Sequence, residues 1–199
     1  MGSDSTAVER NAKKIVLNLG CGFRKRWGAI NVDGFEACKP DLLWDLNKTP
    51  YPWEDNSVYA IFAFHSFEHL ENWWGAFKEC ARILQHGGRL EIRVPDASSD
   101  SAITYRDHIN ILDLFSFHGT LDALKGRERS SWFAEQEAVP FHLVEYWQVP
   151  NRQYFWMNKW PWRKLGLLKF CAKHMRNFIW EQRFIFEKID TSKYELRCD

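Results

Sequence analysis

A chain of 199 residues, 45% of them hydrophobic, is long enough to bury one substantial core, and this length favours one domain over two. With 27 Lys and Arg against 26 Asp and Glu, the formal net charge of +1 sets up no global field that would announce a nucleic-acid or membrane partner. The cysteines, Cys21, Cys38, Cys80, Cys171 and Cys198, are odd in number and contain no CxxC pair, which argues against a zinc knuckle or dithiol motif and for a reducing compartment.

No run approaches the roughly 18 to 20 apolar residues that span a bilayer, and the polar start through Lys14 lacks a signal-peptide core. The expectation is a cytoplasmic protein with no transmembrane segment. Gly2 and Thr6 satisfy the permissive N-myristoylation pattern, which a polar tail matches cheaply. Residues 1–14 read as a disordered tail and 15–199 as a single domain, with 15–96 as one half and 97–199 as a helical and aromatic second half.

In chain order, Ile15 to Leu19 is a short apolar run closed by Gly20, Cys21 and Gly22, a buried strand ending in a glycine turn. Ala29 to Val32 ends at Asp33, and Asp41 to Trp44 ends at Asp45, so two further strands finish on carboxylates. Val58 to Phe64 is nearly unbroken in its apolar character, which predicts a central strand covered on both faces. Glu68 to Gln85 carries Leu70, Trp73, Trp74, Phe77, Ala81 and Leu84 at helical spacing and stops at Gly87 and Gly88. Leu90, Ile92 and Val94 then alternate with charges as a strand, completing a β-α-β unit and hence a parallel sheet.

Beyond it, a helix is predicted from about Ala102 to Phe117, then an irregular aromatic region from Trp132 to Trp162. Phe178, Trp180, Phe184 and Phe186 alternate, and Tyr194, Leu196 and Cys198 follow a polar turn, which predicts a terminal antiparallel hairpin.

Glycines at the carboxyl end of a first strand let backbone N–H groups approach a ligand, and a carboxylate closing the second strand can accept from ribose hydroxyls. Polar His65 to His69 after the fourth strand completes a set of strand ends that would converge on one crevice.

The stretches VLNLGCG, INVD, DLLWDL, PYPWEDNSVYAIFAFHSFEHL and ARILQHGGRLEIRVPD, over roughly residues 15 to 96, resemble the class I S-adenosylmethionine-dependent methyltransferases, specifically the short methyltransferase-type domains. The resemblance implies a Rossmann-like α/β fold, mostly parallel, with S-adenosyl-L-methionine as cofactor and S-adenosyl-L-homocysteine as product. It implies that Gly20, Cys21 and Gly22 pack against the methionine part, that Asp33 binds the ribose, and that Asp45 and Leu46 border adenine. Phe64 and His65 would line the methyl-transfer end.

Asn18 stands where the family usually has an acid, Arg24 replaces a third glycine, and Tyr59 stands where aspartate is frequent. Asn18 can still both donate and accept hydrogen bonds toward the cofactor. Only Phe23 to Gly28 separates the glycine turn from the second strand, so the first crossover helix must be very short or absent.

His65, His69 and Asp96 are the candidates for catalysis, with His65 first as general base because an imidazole titrates near neutrality. His65 to His69 also spells H-x-x-E-H, a zinc pattern of inverted zincins, but it sits at a strand-to-helix junction rather than on a helix, so no metal ligands are assigned. A milder reading has His65, Glu68 or His69 assisting through a divalent ion.

No Asp/Asn-Pro-Pro-Tyr/Phe element follows the fourth strand, which favours an oxygen acceptor on a small molecule, sugar or glycan precursor. Between Arg152 and Arg183, basic residues interleave with aromatics and Glu181 is the only acid, a pattern open to an anionic acceptor or to solvated stems around core aromatics. His118, His142 and Trp132 are further candidates for an acceptor site. The alternatives are a cofactor-binding degenerate domain serving as an interaction module and an RNA- or nucleotide-directed methyltransferase.

Overall fold

A computed structural model describes residues 14–117, 139–154, 170–171, 174–190 and 192. The disordered-tail reading, His118, Trp132, residues 155–169 of the basic aromatic segment and Tyr194 to Cys198 lie outside them. The strands are β1 (Ile15–Leu19), β2 (Ile30–Asp33), β3 (Leu42–Leu43), β4 (Val58–Phe64), β5 (Leu84–Pro95), β6 (Phe141–Pro150) and β7 (Ile179–Lys188), in one sheet of order β3-β2-β1-β4-β5-β7-β6. Strands β1 to β5 pair in parallel, β7 runs antiparallel to β5, and β6 pairs antiparallel with β7. The order reverses between β1 and β4, so a crevice opens at their carboxyl ends.

No helix joins β1 to β2, as the short spacing requires. Side-chain hydrogen bonds brace the connection instead: Asn18 Nδ2 donates to Asn31 Oδ1 at 2.9 Å, and the Arg26 N–H donates to the same oxygen at 2.7 Å. Asn31 is in turn fixed by Asp41, whose Oδ2 accepts from both the Asn31 backbone N–H (2.8 Å) and its Nδ2 (2.7 Å). These bonds hold the Asp41 carboxyl below the usual range.

Helix α1 (Trp73–Ile83) crosses from β4 to β5, with the Asn72 side chain accepting from the Gly75 N–H at 3.1 Å. It buries Ala76, Phe77, Cys80, Ala81 and Ile83 against the sheet. Phe77 meets Phe117, Phe141 and Phe186 at ring separations of 5.1, 5.0 and 5.2 Å, which ties the parallel half to the antiparallel strands in one core.

The expectation that β4 is covered on both faces needs correction. Alternation on β5 places Leu90, Ile92 and Val94 in the core and Arg89, Glu91 and Arg93 on the opposite face. There Arg183 forms an ion pair with Glu91 at 2.8 Å and Arg89 Nε donates to Glu187 at 3.2 Å. Phe62 lies under the Arg26 guanidinium at 3.6 Å and Phe64 under that of Arg93 at 4.1 Å, so cations rather than helix side chains cover the central strand there.

Three element boundaries differ from expectation. The helix starts at Trp73 because Phe67–His69 forms a 3-10 turn, and it ends at Ile83, where β5 begins directly and runs through Gly87 and Gly88. The predicted helix from Ala102 to Phe117 is replaced by α2 (Asp100–Thr104) and a 3-10 turn at Phe115–Phe117. The reason is a distant partner: the N–H groups of Ile109 and Asn110 both donate to the Glu68 carbonyl at 3.0 Å, so this stretch spends its donors across the chain. The sheet does end in an antiparallel pair, but the partner of β7 on that side is β6, which precedes it, while β5 lies on its other edge.

Candidate functional site

The turn after β1 is possible only because of its glycines. Gly20 has φ +64°, and a Cβ there would stand 2.3 Å from Ser66 Cβ, so the end of β1 touches the residue just after β4 without room for a side chain. Asp33, at the end of β2, accepts the Gly22 N–H through Oδ2 at 2.7 Å and the Phe35 N–H through Oδ1 at 2.9 Å. One carboxylate thereby fixes the glycine turn and its own loop while keeping lone pairs for a ligand. After β3, Asp45 Oδ1 accepts the Asn47 N–H at 3.0 Å, and buried Leu46 is held by the Tyr51 hydroxyl, which donates to its carbonyl at 2.9 Å.

Gly20, Gly22, Asp33, Asp45, Leu46, His65, Ser66 and His69 all line one cleft of about 490 Å³. A second cleft of about 480 Å³ shares Gly20, Gly22 and His65 with it and continues over Asn18, Cys21, Phe64, Arg93, Tyr105, His108, Trp180 and Glu181. The residues common to both are therefore the boundary between two adjoining spaces, each of a size that suits a small ligand.

His65 is the pivot. It has φ +52°, a left-handed conformation uncommon for a non-glycine residue, and its N–H donates to the Arg93 carbonyl at 2.8 Å, which aims the ring at the boundary. Nε2 lies 2.8 Å from Glu181 Oε2 and Nδ1 lies 3.3 Å from Glu68 Oε1. Burial alone would lower the imidazole pKa, but the Glu181 and Glu68 carboxylates outweigh it and raise the value to about 9.

The other expected residues fall into three groups. Asn18 and Cys21 line the second cleft, but Asn18 spends its amide donor on Asn31 and on the Arg24 carbonyl, and burial with the neighbouring Asp33 pushes the Cys21 thiol up to about 11. His69 lines the first cleft, with Nδ1 donating to the Asp107 carbonyl at 2.9 Å. Asp96 lines neither cleft: Oδ1 accepts from the Ser98 N–H at 2.9 Å and hydroxyl at 2.6 Å, the work of a turn residue. His142, on β6, is exposed and lines neither cleft.

Sequence reading missed Ser66, Arg93, Tyr105, His108 and Glu181. Glu181 had a signal, as the single acid in a basic and aromatic stretch, and Arg93 another, as a charge between two core residues of β5. His108 had none, because the fold of its segment is set by bonds to Glu68. Ser66 Oγ is buried and accepts or donates no hydrogen bond among the described residues, although it faces the first cleft.

S-adenosylmethionine fits this arrangement on three observations: the Cβ-free approach at Gly20, the preset Asp33 carboxylate and the orphan Ser66 hydroxyl, all on one wall. Residues 37–92 match a protein family described as a methyltransferase domain. No curated protein sequence matches. Among solved structures, a S-adenosylmethionine-dependent methyltransferase from Archaeoglobus fulgidus superposes with TM-score 0.57 at 13% identity, covering 88% of this chain and 86% of that one. The geranyl diphosphate C-methyltransferase of Streptomyces coelicolor A3(2) gives 0.55 at 14%, covering 88% and 71%. The [4+2]-cyclase SpnF gives 0.57 at 13%, covering 90% and 76%. At these identities the superpositions speak for the fold alone, and the family match covers the stretch from before β3 into β5 over residues 37–92. Among the described residues no helix is long and apolar enough to cross a membrane. Sheet order and the superpositions give this chain the Rossmann-like α/β fold of these methyltransferases, and residues 37–92 within it are similar to a methyltransferase domain.

Proposed function

We propose that the first cleft holds the cofactor and the second an acceptor methylated on oxygen, a small molecule, sugar or glycan precursor. The observation that carries this reading is the shared wall: Gly20, Gly22 and His65 belong to both clefts, so two ligands would meet there. When bound, S-adenosylmethionine supplies an electrophilic methyl group on a sulfonium. The chain's part is to bind and align. Asp33 accepts the ribose hydroxyls, Asp45 and the Leu46 N–H take the adenine edge, and Gly20 to Gly22 with Asn18 and Cys21 admit the methionine portion. Phe64 and His65 bound the transfer end.

Alignment and exclusion of water supply most of the rate enhancement in such an in-line displacement. For the acceptor proton, the geometry favours Glu181 over the histidine that sequence reasoning put first. Both His65 ring nitrogens face carboxylates, whereas Glu181 lines the acceptor cleft and is oriented by His65. His65 becomes a positioning residue. Asp96 has no part in this proposal. Arg24 and Arg93, in the same cleft, suit a hydroxylated or anionic acceptor.

Calorimetric titration with S-adenosylmethionine and S-adenosylhomocysteine is the test. Asp33→Ala removes a charged acceptor for two hydroxyls, worth about 3 kcal/mol, so binding should weaken by about a hundredfold. Folded wild-type protein that binds neither compound overturns the proposal; saturable binding with no turnover on any acceptor leaves the degenerate module.

A further inference from the structure

The H-x-x-E-H run holds one group that the cofactor and acceptor clefts do not use. Glu68 is buried to 1% exposure, and neither of its oxygens has a hydrogen-bond partner among the described residues. A carboxylate taken out of water without donors is costly unless a cation compensates it. His65 Nδ1, at 3.3 Å, faces one oxygen.

Two more donors converge on the same point. Glu68, His69 and His108 each offer a ligand atom, and these atoms all lie within 4.8 Å of one another. His69 donates Nδ1–H to the Asp107 carbonyl, which leaves Nε2 as the free electron pair. This is the arrangement that orients metal-bound imidazoles. His108 Nδ1 is buried and has no hydrogen-bond partner among the described residues, and its ring stands edge-on to that of His69 at 4.8 Å. The bonds from Ile109 and Asn110 to the Glu68 carbonyl bring His108 to this place across some 40 residues of sequence, and Asn110 Nδ2 adds a bond to the Leu70 carbonyl.

We infer that Glu68, His69 and His108 form a binding site for a divalent transition-metal ion, with Zn²⁺ the best match to two imidazoles and one carboxylate. Ligands about 2.0 to 2.1 Å from such an ion stand about 3.3 Å apart, so the side chains close in by small rotations. His65, which faces Glu68 on one nitrogen and Glu181 on the other, orients the carboxylate ligand. His69 lines the first cleft and His108 the second, so the ion sits at their junction with coordination positions open. Its use there, which rests on the methyltransferase reading, is to bind an acceptor hydroxyl and make it more acidic.

The site differs from the zincin pattern in one respect. His65 is replaced as ligand by His108, because His65 sits in a left-handed turn and cannot share a helical face with His69.

The test is titration of chelator-treated full-length protein with Zn²⁺ and with Co²⁺, in the absence of S-adenosylmethionine, alongside a separate cofactor titration. A protein that binds metal but not cofactor keeps this site and loses the proposed function; the reverse loses the site alone. The expected result is one ion per chain, weakened about a hundredfold by His108→Ala or His69→Ala and unchanged by His86→Ala. X-ray absorption on the zinc-loaded wild type supplies a reading that needs no variant: two imidazoles and oxygen neighbours are expected. Sulfur in the shell would move the ion to Cys21 and Cys38, which with Asp33 form the other such cluster among the described residues, and would overturn the assignment. No binding, or binding untouched by both histidine substitutions, overturns it equally.

Discussion

Substitution of Gly20 by alanine separates two effects that usually come together. The backbone at φ +64° disfavours any L side chain by about 1 kcal/mol, and the new Cβ, 2.3 Å from Ser66 Cβ, adds overpacking of about 1 to 3 kcal/mol. Gly22→Ala has the first term alone: its φ is +48° and a Cβ there meets nothing within 4 Å among the described residues. Urea unfolding should therefore show Gly20→Ala losing about 2 to 4 kcal/mol and Gly22→Ala about 1 kcal/mol. Ser66→Gly removes the clashing atom, and because Ser66 Oγ has no hydrogen-bond partner among the described residues, it deletes no bond. In the double variant the overpacking disappears and the φ cost stays, giving a favourable coupling of about 1 to 3 kcal/mol. S-adenosylhomocysteine affinity, read by calorimetry, should fall in Gly20→Ala and recover partly with Ser66→Gly. Equal losses for the two glycine variants, or a coupling below about 0.5 kcal/mol, would refute the claim that the β1 turn is pressed against the β4 exit.

Two further outcomes follow from the side-chain networks. Glu79 accepts from Arg82 Nε at 2.9 Å, Arg82 Nη2 at 2.7 Å and the Tyr51 N–H at 2.6 Å; burial alone would raise its pKa, but these bonds outweigh it and hold the carboxyl below the usual range. Its stabilisation is present above the unfolded pKa of about 4.3 and is lost as pH falls through the lower folded value. Glu79→Gln should thus be about 1 to 2 kcal/mol less stable at pH 7 and converge with wild type in acid, as read from pH-dependent thermal unfolding. Glu181→Gln should lower kcat about a hundredfold with S-adenosylhomocysteine affinity kept, and unchanged kcat on an identified acceptor would remove Glu181 from the reaction.

Most of the parallel half was legible because its signals are local. The strand β4 was predicted to the residue, since an unbroken apolar run between turn formers has few other uses, and the missing crossover helix followed from counting Phe23 to Gly28. What failed were readings that depend on distant partners. The stretch after Thr104 has helical spacing of apolar residues, yet its N–H groups go to Glu68, and no pattern within the stretch reveals that competition. The antiparallel partner of β7 was sought downstream, where hairpins usually lie, although β6 precedes it across a long connection. Period-two patterning identifies a strand but not its neighbour.

The site shows the same division at finer scale. Residues placed by a strand end, such as Gly20, Gly22, Asp33, Asp45 and Leu46, line one cleft because the parallel sheet delivers its carboxyl ends to one crevice regardless of side-chain detail. Polar groups whose role depends on their partners were harder. His65 is the expected general base from the ordinary range of an imidazole, but Glu181 from β7, beyond the reach of local pattern, and Glu68, three residues on in the 3-10 turn, face its two ring nitrogens. Asp96 ends a strand as Asp33 does, yet its side chain turns back onto Ser98, since a carboxylate followed by Ser98 and Ser99 is satisfied more cheaply by its own loop than by a cleft. A strand-end acid is therefore available to a cleft only when its local backbone leaves lone pairs over, and Asp33 accepts two N–H groups through different oxygens and still lines the cleft.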